Sequence, residues 1–253
     1  MTSGKLTASL LAPFLFLTSL LASPTTSTTS AIDVVREAIR QMGGEEKLRA
    51  LRGVRFEAAS YRNALEQSER PEGPYIVEYD EISEWRDLEH ARWKQEVEIN
   101  VQVQPPVKFK VVVADGAASR GFSGQTIPAS RDQLQEAEEA LELCPERVLL
   151  TASAAPDLQL EPDTVLQSVP NRVVAFTWKG SPVRLFLNAY TSLPTAVEWK
   201  RAYPGDTFWG TWGDVTTRVY YSLWWLYPGG IHYPRQSDTF RNNLPERVVT
   251  ISD

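Results

Sequence analysis

Residues 91–104 read ARWKQEVEINVQVQ, and their alternation decides the fold class. Trp93, Val97, Ile99, Val101 and Val103 share one parity, and Arg92, Lys94, Glu96, Glu98, Asn100 and Gln102 share the other. Successive side chains of a strand point to opposite faces, so this run predicts a half-buried antiparallel strand with one wet face. Pro105-Pro106 stops it, because proline cannot donate to a strand ladder. Val107, Phe109, Val111 and Val113 then resume the alternation until Asp115-Gly116 turns the chain. Upstream, Tyr75, Val77 and Tyr79 open another strand that runs through Trp85.

Helices flank this block. In IDVVREAIRQMGGEEKLRALRGV, Asp33 is placed as an N-cap, and Val35, Ile39 and Met42 fall at helical spacing. Gly43-Gly44 supplies the left-handed stop. A short second helix passes through Leu48 and Leu51 to a strand beginning near Val54. Further on, Ser130 and Gln133 form a capping box ahead of the stripe Leu134, Ala137, Leu141 and Cys144. Pro145 suits the first position of the next helix.

Strands return at Val173 to Trp178 and at Val183 to Leu187, joined by a Lys179-Gly180-Ser181-Pro182 turn, with Thr195 to Arg201 behind them. The closing stretch from Asp206 to Ser252 holds four of the eight tryptophans: Trp209, Trp212, Trp224 and Trp225. Val215, Thr217, Val219, Tyr221, Leu223 and Trp225 share a parity there, and Asn242-Asn243 reads as a hairpin turn. Some eight to eleven strands with helical insertions predict an α+β domain. Its large antiparallel sheet curves into a half-barrel, with helices covering the concave face.

Residues 32–253 read as one such domain behind a leader at 1–31. Lys5 precedes an apolar run at 6–21 and a Ser/Thr-rich tail, the pattern of an export signal. The chain is therefore expected in the periplasm or outside the cell, with an uncleaved N-terminal membrane anchor as the alternative. Cys144 is the lone cysteine, so no internal disulfide forms and the fold rests on its core. A net charge of −6 without a Lys/Arg run argues against nucleic acid as a partner.

Catalytic and metal motifs are missing. The two histidines, His90 and His232, stand far apart, whereas a zinc site needs clustered donors. Gly121-Phe122-Ser123-Gly124 approaches a nucleophile elbow, but Gln125 occupies the place of the closing glycine. Phosphate-cradling glycine motifs do not occur. What remains is aromatic: Trp85, Trp93, Phe109, Phe176, Trp178, Trp199, Tyr221 and Trp225 on apolar strand faces. They read either as plain core or as the lining of a greasy cavity for an acyl chain.

The segments AIRQMGGEEKLRALRGVRFEA, PERVLLTASAAPDL, SLPTAVEW and WGDVTTRVYYSLWW, followed by GGIHYPRQ, run in this order. Together they resemble the N-terminal accessory region of exported bacterial metallo-β-lactamase-fold hydrolases. That region is itself similar to the half-barrel of periplasmic lipoprotein carrier and sorting proteins. The resemblance implies a non-catalytic domain, without cofactor or metal, that binds a lipid or other apolar ligand or a partner protein. It also implies an alternative, the accessory half of a split or truncated hydrolase whose zinc domain is encoded separately. No zinc ligand carries over.

Overall fold

The structure is a computed structural model that describes residues 1, 30–67, 72–100, 105–122 and 124–253. The apolar run at 6–21, the tail through Thr29, and Val101, Val103 and Ser123 lie outside the described residues.

The alternating run forms β3 (Arg92–Asn100), flanked antiparallel by β2 (Val77–Asp87) and β4 (Val107–Ala114). Trp93 stands opposite Val113, and Val97 opposite Phe109, so one parity of both strands faces inward. The other parity is wet and carries ion pairs, Lys108 to Glu98 at 2.7 Å and Lys94 to Glu96 at 2.9 Å. On β2 the same register reverses the expected orientation. Trp93 is opposite Arg86, and Trp85 is opposite Lys94. Trp85 therefore belongs to the outer face, and the inner row of β2 is Asp80, Ile82, Glu84 and Arg86.

Before β2 comes β1 (Gly53–Asn63); after β4 come β5 (Ala117–Phe122) and β6 (Gln125–Pro128). Two helices, α3 (Arg131–Glu142) and α4 (Pro145–Ala154), cross over to a second meander. It comprises β7 (Gln159–Leu166), β8 (Val169–Trp178), β9 (Ser181–Asn188), β10 (Pro194–Ala202), β11 (Asp214–Tyr227), β12 (Ile231–Arg241) and β13 (Leu244–Ile251). The first and last strands pair at the centre, with Ser60 opposite Val249, giving one thirteen-stranded antiparallel sheet in the order 6-5-4-3-2-1-13-12-11-10-9-8-7. The extra strands beyond the expected count include the two edges. Each edge carries a proline, and β7 shifts register between Glu161 and Thr164. Prolines and irregularities blunt edges that would otherwise template further pairing.

Helix α1 (Ala31–Met42) lies on the concave side and is followed by the short α2 (Glu45–Ala50). Its N-cap is Ser30 rather than Asp33: the Ser30 hydroxyl accepts from the Asp33 N–H, and the Asp33 carboxylate accepts from the Ser30 N–H. The capping box needs its acid three residues into the helix, and Asp33 fills that place. At the other end Gly43 has φ +130° and its Cα faces the Gly230 carbonyl oxygen, an approach that only glycine permits. His232 Nδ1 lies 2.7 Å from the Gln41 carbonyl oxygen, so this histidine serves the end of α1.

Val35, Ala38, Ile39 and Met42 of α1 bury against Val148 and Leu149 of α4 and against Val174, Phe176, Val183 and Leu185 of the sheet. Each of the larger side chains among these, buried fully, contributes about 1.5–3 kcal/mol. Across the concave face, α3 starts at the expected Ser130–Gln133 box and lays Ala137 and Leu141 on Trp93, Val111 and Val113. The helices thus seal the two flanks of the sheet as separate apolar clusters.

On β11 the alternation is broken. Leu223 takes φ +53°, so the Tyr221 and Trp224 rings meet edge to face at 6.3 Å, while Leu223, Trp225 and Leu226 are exposed. Trp225 was expected to share the Tyr221 face; the left-handed residue between them puts it outside.

Candidate ligand-binding cavity

Between the two apolar clusters, α3 and the first turn of α4 bridge the concave face without filling the space beneath them. A cavity of about 890 Å³ remains. Its apolar walls are Phe56 of β1, Trp93 of β3, Phe109 and Val111 of β4, Trp199 of β10 and Tyr221 of β11. The Tyr221 hydroxyl donates to the Leu143 carbonyl at 3.3 Å, which fixes its ring beneath the junction of α3 and α4.

Four of the eight aromatics singled out in the sequence, Trp93, Phe109, Trp199 and Tyr221, therefore line one space. Phe176 and Trp178 sit instead in the packed core under α1 and α4. Trp178 Nε1 donates to Glu142 at 2.6 Å, and the Arg201 guanidinium lies 5.0 Å from its ring. Trp85 and Trp225 stand on the outer face, 40% and 59% exposed.

The cavity also holds a polar interior that aromatic patterning did not indicate. At one end Arg86 donates to Glu84 at 2.6 Å, to Glu146 at 3.0 Å and to the Tyr233 hydroxyl at 3.2 Å, with its guanidinium 5.4 Å from the Phe56 ring. Gln95 adds a 2.8 Å bond to Glu84. Burial works against the Arg86 charge, but Tyr233, Glu84 and Glu146 outweigh it and hold the guanidinium well above its ordinary range. A buried charge persists only when paired in this way. Burial likewise pushes the Cys144 thiol and the Tyr233 phenol up, which keeps both protonated.

At the other end, Trp199 Nε1 donates to the Tyr203 hydroxyl at 3.2 Å, and Tyr203 donates to Glu139 at 3.0 Å. Arg201 reaches the same carboxylate at 3.3 Å. Burial pushes Glu139 from 4.5 up to about 7, against the pull of Arg241 and with the help of neighbouring Glu136. Glu136 faces the cavity beside Arg241, at 3.3 Å, and burial raises it too. Arg241 also pairs with Glu246 at 3.1 Å, and Arg247 with Asp80 at 3.2 Å.

Strand β12 supplies much of the lining of this interior, Pro234 and Gln236 included. Tyr233, Arg235, Ser237, Thr239 and Arg241 share one face of β12, and all five line the cavity.

No arrangement for catalysis appears at the places where the sequence came nearest to one. Gly121 pairs with Thr126 and Phe122 with Gln125, so β5 leads to another strand rather than to the helix that follows a nucleophile elbow. His90 sits 3.0 Å from Asp87 and His232 against a main-chain carbonyl. Among the described residues no group of three or more His, Cys, Asp or Glu is placed to hold a metal ion, and no helix is long and apolar enough to cross a membrane.

No family model and no curated protein matches this chain. Solved structures do. A DUF1329 family protein from Desulfovibrio piger is 10% identical, with a TM-score of 0.53, over 89% of this chain and 92% of that one. A candidate outer membrane lipoprotein-sorting protein domain from Vibrio parahaemolyticus is 11% identical over 88% and 90%, with a TM-score of 0.49. LprF from Mycobacterium bovis is 9% identical over 88% and 91%, with a TM-score of 0.31. The likeness that carries weight, to the Desulfovibrio protein, is one of fold: a curved antiparallel sheet with helices on its concave side.

Proposed function

We propose that this chain is an exported, non-catalytic carrier-type domain that holds an apolar or acylated ligand beneath α3. One observation carries the reading: a space of about 890 Å³ is left open between two well-packed apolar clusters. Pockets for small ligands fall at about 300–1,000 Å³ and combine apolar walls with a few placed polar groups. Trp93, Phe109, Trp199 and Tyr221 supply such walls. The Arg86 and Arg241 clusters are largely paired within themselves, so hydrocarbon can lie along them without stripping a lone charge of its partner. The apolar leader at 6–21 supports export to the periplasm or beyond.

Native mass spectrometry of the protein after gentle extraction tests this directly. A retained mass that dissociates as a lipid or fatty acid is the expected result. A protein that comes off bare, and that takes up no fatty acid when titrated, overturns the reading. The alternative of an accessory half for a separately encoded zinc hydrolase rests on the sequence resemblance alone.

A further inference from the structure

Asp132 lies in the first turn of α3, only 6% exposed, and it lines the cavity. Neither of its carboxylate oxygens has a hydrogen-bond partner. Burying a carboxylate without a donor is costly, and such orphans are rare. The loop behind it approaches closely: a Cβ on Gly205 would stand 2.9 Å from Oδ2. That loop turns its N–H groups on itself, since Phe208 and Trp209 both donate to Asp206 at 2.8 and 2.7 Å.

Three arginines of this interior are already engaged, while Arg120, which lines the same cavity, lies 5.7 Å from the Phe109 ring. Arg241 is held by Glu136 and Glu246, Arg201 by Glu138 and Glu139, and Arg62 by Glu66 and Glu78. Asp132 is a buried acceptor without a donor, and the rings of Phe208 and Trp209, whose centroids are 4.8 Å apart, line the same cavity. An ammonium group would satisfy both oxygens through charge-assisted N–H bonds and lie against aromatic faces that favour cations.

We infer that the cavity selects an amphiphile with a primary ammonium headgroup, which Asp132 receives while the alkyl chain runs toward Phe109 and Trp93. This rests on the proposed binding of an apolar chain and adds the chemistry of its polar end.

Isothermal titration of the full chain with dodecylamine below its micellar concentration and with dodecanol below its solubility limit separates the two claims. Dodecylamine should bind at least about tenfold more tightly, the scale of one charge-assisted bond. Asp132→Asn should remove that preference and leave dodecanol unchanged. Equal binding of the two probes by the wild-type protein overturns the headgroup assignment while the apolar cavity stands. Binding of neither overturns both. If Asp132→Asn folds and keeps the full preference, the ammonium sits elsewhere and the assignment fails. If that variant does not fold, the wild-type comparison alone decides.

Discussion

Glu139 offers the sharpest quantitative test of the interior. Its carboxyl is 6% exposed and rises from 4.5 to about 7, chiefly through burial, with Glu136 adding to the rise and Arg241 and Arg201 opposing it. Between those two values the folded protein keeps a proton that the unfolded chain has already lost. The folded state therefore binds more protons there, and stability must fall as pH rises. The contribution is fully present below pH 4.5 and is lost as pH climbs through about 7. A difference of 2.5 units (7 minus 4.5) at about 1.4 kcal/mol each amounts to about 3.5 kcal/mol, of which about 3 kcal/mol falls between pH 4.5 and pH 8. Glu139→Gln keeps an oxygen for the 3.0 Å bond from Tyr203 but has no proton to lose. Urea unfolding of both proteins from pH 4.5 to pH 8 is the assay. The stability of the Gln variant relative to wild type should climb by about 3 kcal/mol across that window, about 6–12 °C in thermal midpoint for a chain of this size. Taking the difference cancels titrating groups that do not interact with Glu139, such as Asp80, which burial also raises. A difference that stays flat with pH would mean that Glu139 titrates as an exposed carboxylate, and the packing of α3 over Tyr203 would have to be wrong.

Two further substitutions probe the frame and the cavity. Gly43→Ala drives a Cβ into the Gly230 carbonyl and sits 3.2 Å from the Ile231 Cα, at φ +130°, so it should cost about 2 kcal/mol or more in urea unfolding; a neutral effect would show that α1 does not press on the β11–β12 hairpin. Ala140→Trp places an indole in the cavity from the face of α3 and should weaken binding of a fluorescent fatty acid at least about tenfold with the fold retained by circular dichroism. Undiminished binding would place the apolar ligand elsewhere on the molecule.

The legible and illegible parts of this chain divide along one physical line. Alternation is local, so β3 and β4 could be read residue by residue, as could the Ser130 box, the Gly43 stop and the Asn242-Asn243 turn, whose two residues take φ +48° and +64°. Which parity faces inward is not local, because it depends on the register with the next strand. On β2 the intrinsic preference of aromatics for the interior pointed to Trp85, yet the register with β3 turns Asp80, Glu84 and Arg86 inward. Those groups can stay there only because partners arrive from far along the chain: Glu146 and Tyr233 for Arg86, Arg247 for Asp80. Leu223 shows the same limit in miniature, since one left-handed residue moves Trp225 outside and no periodicity announces it. Of the aromatics singled out by their parity, Trp93, Phe109, Trp199 and Tyr221 share one space and the other four do not, because facing depends on register and bulges rather than on alternation. A charged residue on the inner parity of a strand looks like an error in a sequence until its partner is known. The inner face of this sheet carries several, held by partners such as Glu146 for Arg86 and Arg247 for Asp80; Asp132 differs in kind, a buried carboxylate on α3 that lines the same cavity with neither oxygen hydrogen-bonded.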